Sequence, residues 1–153
     1  MSLTPEERLA AVAARRAALQ ATEARAFAEQ QAADLERLVD LEEEHGFDRV
    51  LRIDLVGWKP GAGAATLIAV RVPLASEVHV KRFEQTVAKS KERTTSNLDA
   101  LKVLGTACIV YPSRESEKAL YDATIELAPA VTTRAGSLVI EAVQGRAEEE
   151  KKD

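Results

Sequence analysis

Cysteine occurs once, at Cys108, so no intrachain disulfide can form, which fits a reducing compartment. Histidine occurs only at His45 and His79, and no CxxC or HExxH spacing exists, so no zinc site is expected. Aromatic residues make up 4% of the chain, which excludes a core built on aromatic slabs and favours aliphatic helix packing. No apolar run approaches the roughly 18 residues that a membrane span needs. No basic stretch leading into an apolar run opens the chain, so no secretory leader is expected. A net charge of −4 is too mild to drive binding of the whole molecule to nucleic acid or membrane.

Glycine is missing from one stretch in particular. Between Thr4 and His45 there is none, and the one proline, Pro5, stands where a helix would begin. Thr4-Pro5-Glu6-Glu7 is a helix start: the Thr4 hydroxyl can cap a free amide, Pro5 has no amide to waste, and both glutamates sit at the positive end of the helix dipole. Twelve alanines follow before His45, and Gly46 is the natural C-cap. Such a helix would be about 60 Å long, more than a small domain needs to cover itself. Leu9, Val12, Leu19 and Ala26 keep coiled-coil spacing, but Arg16, Glu23 and Gln30 interrupt the seam. A self-sufficient zipper is not expected. Packing against other helices or a partner's surface is, with a solvated single helix as the plainer reading. Farther along, Phe27, Leu35, Leu38 and Leu41 form a denser stripe. The arm carries five basic and ten acidic side chains, with the excess at Asp40, Glu42, Glu43 and Glu44. Carboxylates at a helix C-terminus oppose its dipole, so these four either face a basic partner or are simply solvated.

After Gly46 the period changes. Leu51, Ile53 and Leu55 alternate with Arg52 and Asp54 as a half-buried strand, and Ala65–Val72 is a second. The glycine-rich turn between them makes a β-hairpin. It lacks the GK[ST] ending of a phosphate loop and leads into a strand, so no nucleotide site is expected there. Trp58 in this turn is either an exposed interface anchor or folded back on its own domain. Helices are expected over about 76–90, 97–110, from Ser113 to the break at Pro129, and from Thr132 or Thr133 to Gly145. The fold expected is therefore α+β and mainly α, a long N-terminal helix followed by a β-hairpin packed with about four short helices. Its parts would be a helical arm (1–46), a compact domain (47–145) and a charged tail (146–153). Cys108 falls in an apolar run and reads as a packing thiol, and neither catalytic residues nor a cofactor is expected.

The main rival to a protein-binding role lies between His79 and Lys102. There Lys81, Arg82, Lys89, Lys91, Arg93 and Lys102 stand against three acids, a basic segment that could contact phosphates. No aromatics interleave with it, and it could equally pair with the acidic end of an arm.

One series of words is shared with known proteins: Val70-Arg71-Val72-Pro73 closing the hairpin, Arg82-Phe83 in the next helix, Cys108-Ile109-Val110-Tyr111-Pro112-Ser113-Arg114, and a Pro129 break before a small-residue helix. Over roughly residues 50–145 this resembles small proteins encoded among the head and tail genes of tailed bacteriophages, some of them tail assembly chaperones and others virion proteins. The resemblance implies a non-enzymatic structural or assembly protein, in the virion or in the host cytoplasm during assembly. Its partners would be other virion or assembly proteins, including copies of itself, and not a membrane. The long amino-terminal helix departs from the short members and points to a component that stays in the particle. On this reading Phe27, Leu35, Leu38, Trp58 and the acids from Asp40 to Glu44 are the contact residues, and removal of residues 1–45 should leave a folded domain that no longer assembles.

Overall fold

The computed structural model describes residues 2–89 and 94–152. The first helix, α1, runs unbroken from Pro5 to His45. Thr4 accepts a hydrogen bond from the Glu7 amide at 3.2 Å, and the Gly46 amide donates to the Glu42 carbonyl at 2.9 Å. Gly46 has φ of 104°, a conformation costly for any residue with a Cβ, which is why the helix stops there. A single 3₁₀ turn, Phe47–Arg49, leads into β1 (Val50–Asp54) and β2 (Leu67–Arg71). Helices α2 (Val78–Lys89) and α3 (Thr94–Cys108) follow, then β3 (Ile109–Tyr111), α4 (Lys118–Leu127) and α5 (Val131–Lys152). None of these helices is long and apolar enough to cross a membrane, among the described residues.

The mainly helical α+β fold, with its long N-terminal helix, is as expected, but the sheet has three strands rather than two. Its order is β1-β2-β3, antiparallel throughout, with Ile53 opposite Ile68 and Ala69 opposite Tyr111. The third strand was expected to be the end of the helix over 97–110. Two local effects end that helix at Cys108. Ile109, Val110 and Tyr111 are β-branched or aromatic and suit a pleated surface, and Pro112 disfavours helical geometry at Tyr111. The Tyr111–Pro112 bond is cis.

Central strand β2 is covered on both faces, with Leu67, Ile68, Ala69 and Val70 wholly buried. Leu67 and Ala69 point to one side, where they meet Leu38 and Leu41 of α1, Val50 and Tyr111. Ile68 and Val70 point to the other, where they meet Val80 of α2, Leu104 and Cys108 of α3, Tyr121 of α4 and Val139 of α5. The sheet is thus a partition, with the end of α1 on one side, α2, α3 and α5 on the other, and α4 at its edge, where Leu120 packs with the first cluster and Tyr121 with the second.

Helices α3 and α5 cross backbone to backbone. A Cβ placed on Gly105 would lie 1.8 Å from the Thr132 carbonyl oxygen, and one on Gly136 would lie 2.0 Å from that of Leu101. Helix α5 was expected to end at Gly145, with a separate charged tail beyond. It continues to Lys152 instead. An exposed helical glycine costs only about 1 kcal/mol, and the residues around it are good helix formers. Arg146, just past Gly145, also donates to the Asp48 carbonyl and lies 3.8 Å from the Asp48 carboxylate.

Candidate functional site

Residues 5–25 of α1 are exposed along their whole length. They extend about 30 Å before the domain begins to cover them. Leu9, Val12 and Leu19 are 71%, 50% and 59% exposed, an unusual density of bare aliphatic side chains on one element. Their direction gives this meaning. At 100° per residue, Leu9, Val12, Arg16, Leu19 and Glu23 fall within the same sector, about 100° wide, as the buried Asp34, Leu38 and Leu41. The stripe that seats α1 on the sheet therefore continues past the domain's edge with nothing on it. Accordingly the packing boundary lies inside α1, near Ala26, and not at Gly46.

The edge itself is marked by aromatics. Phe27 meets Trp58 edge to face, with ring centroids 5.6 Å apart at 73°. The Trp58 indole N–H donates to the Ala64 carbonyl at 2.8 Å, which turns the ring back toward α1. Trp58 is half-buried, so it serves first as a brace between the hairpin loop and the arm.

Two turns deeper stands Asp34, a fully buried carboxylate. It accepts from the Thr66 amide at 2.7 Å, the Thr66 hydroxyl at 2.6 Å, the Tyr111 hydroxyl at 2.5 Å and the Gln30 side-chain amide at 2.9 Å. Four donors, from α1, from Thr66 just before β2 and from β3, replace the water a carboxylate would otherwise hold. Arg37 lies over the Tyr111 ring, 5.8 Å from its centroid, and 3.9 Å from both Asp40 and Glu117. Burial, and then the hydrogen bond to Asp34, push the ionisation of the Tyr111 phenol well above its ordinary range. This cluster is a clamp that fixes the angle at which the arm leaves the domain. Of its residues, Gln30, in the seam, and Tyr111, in the run from Cys108 to Arg114, stood out in the sequence; Asp34, Arg37 and Thr66 did not. The available signal was an aspartate at a position the helical period assigns to the buried face.

Leu38 is buried and Leu35 is half-buried in the cluster beneath α1, so these two expected interface residues pack within their own chain. Of the acidic residues, Asp40 pairs with Arg37, Glu42 is half-buried, and Glu43 and Glu44 are exposed. The basic segment lies across the sheet from them. Lys81 pairs with Glu84 at 3.7 Å, Lys89 is exposed at the end of α2, and Arg82 borders a cavity; Lys91 and Arg93 lie outside the described residues. Among the described residues no ion pair joins the acidic and basic segments.

The cavity beside Arg82 measures about 370 Å³ and lies between α2 and α3, lined chiefly by Phe83, Val103 and Leu104 with His79 and Asp99 at its rim. Among the described residues no three His, Cys, Asp or Glu side chains gather as a metal site would require. Cys108 is buried, and its thiol is pushed up to about 11 by burial, opposed by Arg71 and reinforced by Glu77. A thiol so placed is not a ready nucleophile. Compared with family models, with curated proteins and with solved structures, the chain matches none of them.

Proposed function

We propose that this is a non-enzymatic structural or assembly protein of a tailed phage or phage-like particle, which reaches a neighbouring protein surface through the free half of α1. The observation that supports the reading is the apolar stripe that runs beyond the domain's edge, through Leu19 and Val12 to Leu9, uncovered by its own chain. An isolated helix gains little from exposing such residues, whereas a helix laid on a partner gains by burying them. In a repeating lattice, contacts of this modest size add by avidity. The placement in a phage particle rests on the resemblance of residues 50–145 in element order and short words.

Removing residues 1–24 keeps everything the domain packs against and deletes only the bare stripe. Co-expressed with the products of neighbouring genes, the full chain should sediment with the assembled particle, and the chain lacking residues 1–24 should stay in the soluble fraction. Equal incorporation of both would refute the arm's role.

A further inference from the structure

The stripe on the free half of α1 follows strict three-four spacing: Leu9, Val12, Arg16, Leu19, Glu23, Ala26, Gln30. In coiled-coil terms Leu9, Arg16, Glu23 and Gln30 hold one seam position, and Val12, Leu19 and Ala26 hold the other. Such a helix can pair with a copy of itself in either direction, and the two directions place its charges differently. A parallel pair sets Arg16 against Arg16 and Glu23 against Glu23 of the other copy, two like-charge layers in the middle of the seam. An antiparallel pair faces each position of the first kind with one of the second. Leu9 then opposes Ala26, Val12 opposes Glu23, and Arg16 opposes Leu19. Arg16 of one copy then lies about 4.5 Å along the axis from Arg16 of the other and about 6 Å from its Glu23, so the two arginines at the axis are flanked by glutamates on both sides, and the two Glu23 side chains are kept apart. On the flank, Arg8 of one copy stands beside Glu29 of the other. Among the described residues none of Arg8, Arg16, Glu23 and Glu29 forms an ion pair within its own chain.

The domain limits how far the copies can overlap. Beyond Phe27 the stripe is occupied by Trp58 and then by the sheet. In the register above, Leu9 of one copy reaches Ala26 of the other, where the partner's domain begins, and the turn before it, residues 5–8, runs alongside residues 27–30 at the domain's edge. Sliding by one further heptad would drive the first turn into the Asp34 clamp. Sliding back by one would leave Ala26 uncovered and separate Arg8 from Glu29. The length of the free arm, the position of the domain edge and the charge pattern thus agree on one register.

We propose that two copies of this chain pair through antiparallel contact of residues 8–27, with a twofold axis near Ala17 and Ala18 and the two domains at opposite ends. This rests on the arm being a protein-binding element and names its partner as a second copy. The arrangement makes a double-ended unit whose domains face outward, suited to bridging neighbouring positions on a repeating surface.

The test uses the full chain, with substitutions at the exposed Leu9, Arg16 and Glu23 and the half-buried Ala26. Light scattering at 100 µM should give twice the 16.6 kDa chain mass. Arg16→Glu or Glu23→Arg alone should weaken pairing on the order of tenfold, because a twofold axis counts each change twice. The double exchange should restore it. Orientation is read by crosslinking: a mixture of Leu9→Cys and Ala26→Cys chains should form disulfide-linked dimers under mild oxidation, while each variant alone should not. Cys108 is buried and does not compete. A chain that is monomeric at 100 µM, a double exchange that fails to rescue, or crosslinking of Leu9→Cys with itself overturns the proposal. If the free chain is monomeric yet the arm is still needed for particle incorporation, self-pairing is wrong and the arm reading stands.

Discussion

Asp34 is the residue on which the geometry of the arm depends. Replacing it with alanine leaves the Thr66 amide, the Thr66 hydroxyl and the Tyr111 hydroxyl as buried donors without an acceptor. The expected loss is about 3–5 kcal/mol, from several unsatisfied groups at once, read as a lower urea midpoint. Tyr111→Phe removes one donor and leaves three, so it should cost only about 1 kcal/mol. Equal losses for the two would mean that the aromatic packing, and not the carboxylate, holds the clamp. Little of this was legible beforehand, because donors at residues 66 and 111 are joined to Asp34 only by the folded sheet. Cys108 supplies a second test at the same scale. Burial raises its thiol from 9.0 to about 11, and burial and the Asp34 hydrogen bond raise Tyr111 in the same direction. In the unfolded chain both groups lose their protons at ordinary values, while the folded chain keeps them. Stability is therefore fully present below about pH 9 and falls as pH rises through 11, by ~2–3 kcal/mol for the thiol alone. Urea midpoints at pH 8 and 10.5 measure the fall, and Cys108→Ala should make it shallower.

Among the elements, α3 and α5 show why the same residue type can mean opposite things. Gly105 and Gly136 stand inside helices, where glycine ordinarily weakens the structure. Here each lets a carbonyl of the facing helix approach to a distance no Cβ would tolerate. Gly145 is in the same helix as Gly136, with nothing within 4 Å of its missing Cβ. Gly145→Ala should raise stability by about 0.5–1 kcal/mol, whereas Gly105→Ala and Gly136→Ala should each lower it by on the order of 3 kcal/mol. Thermal unfolding of the three variants checks the signs, and a neutral Gly105→Ala would show that the helices are free to separate. A glycine inside a helical run carries this message in the sequence only as an ambiguity, since a C-cap, a tolerated defect and a close crossing look alike there. The start and end of α1 were legible because capping is local: Thr4, Pro5 and Gly46 act on their own neighbours. The strand Ile109–Tyr111 was not, because its apolar run continues that of α3; its β-branched and aromatic residues and Pro112 act locally, and pairing with β2 completes the strand.

For the whole molecule, the decisive feature is that one helix belongs to two bodies. Its first half is bare, and its second half forms one wall of the core. A sequence period describes a helix face and says nothing of where the covering layer stops, so the division at Gly46 followed the end of the helix and not the edge of the packing. The two boundaries predict different outcomes. Deleting residues 1–24 removes no buried side chain and only a solvated cap, so the remaining chain should fold with a melting temperature within a few degrees of the full chain. Deleting residues 1–45 removes Leu38, Leu41 and Asp34 together. Each buried leucine contributes about 2–5 kcal/mol, and with the orphaned Thr66 and Tyr111 donors the loss reaches the whole stability of an ordinary domain, about 5–15 kcal/mol. That fragment should be unfolded, with Cys108 open to thiol reagents, while the chain lacking residues 1–24 keeps its thiol protected. Comparing thiol labelling of the two fragments with the full chain therefore locates the boundary. It also determines what an assembly assay can mean: loss of incorporation on removing residues 1–24 reports a missing contact, whereas loss on removing residues 1–45 reports a missing fold. If the shorter deletion also exposed Cys108, the free half of α1 would be supporting its own domain rather than waiting for a second surface.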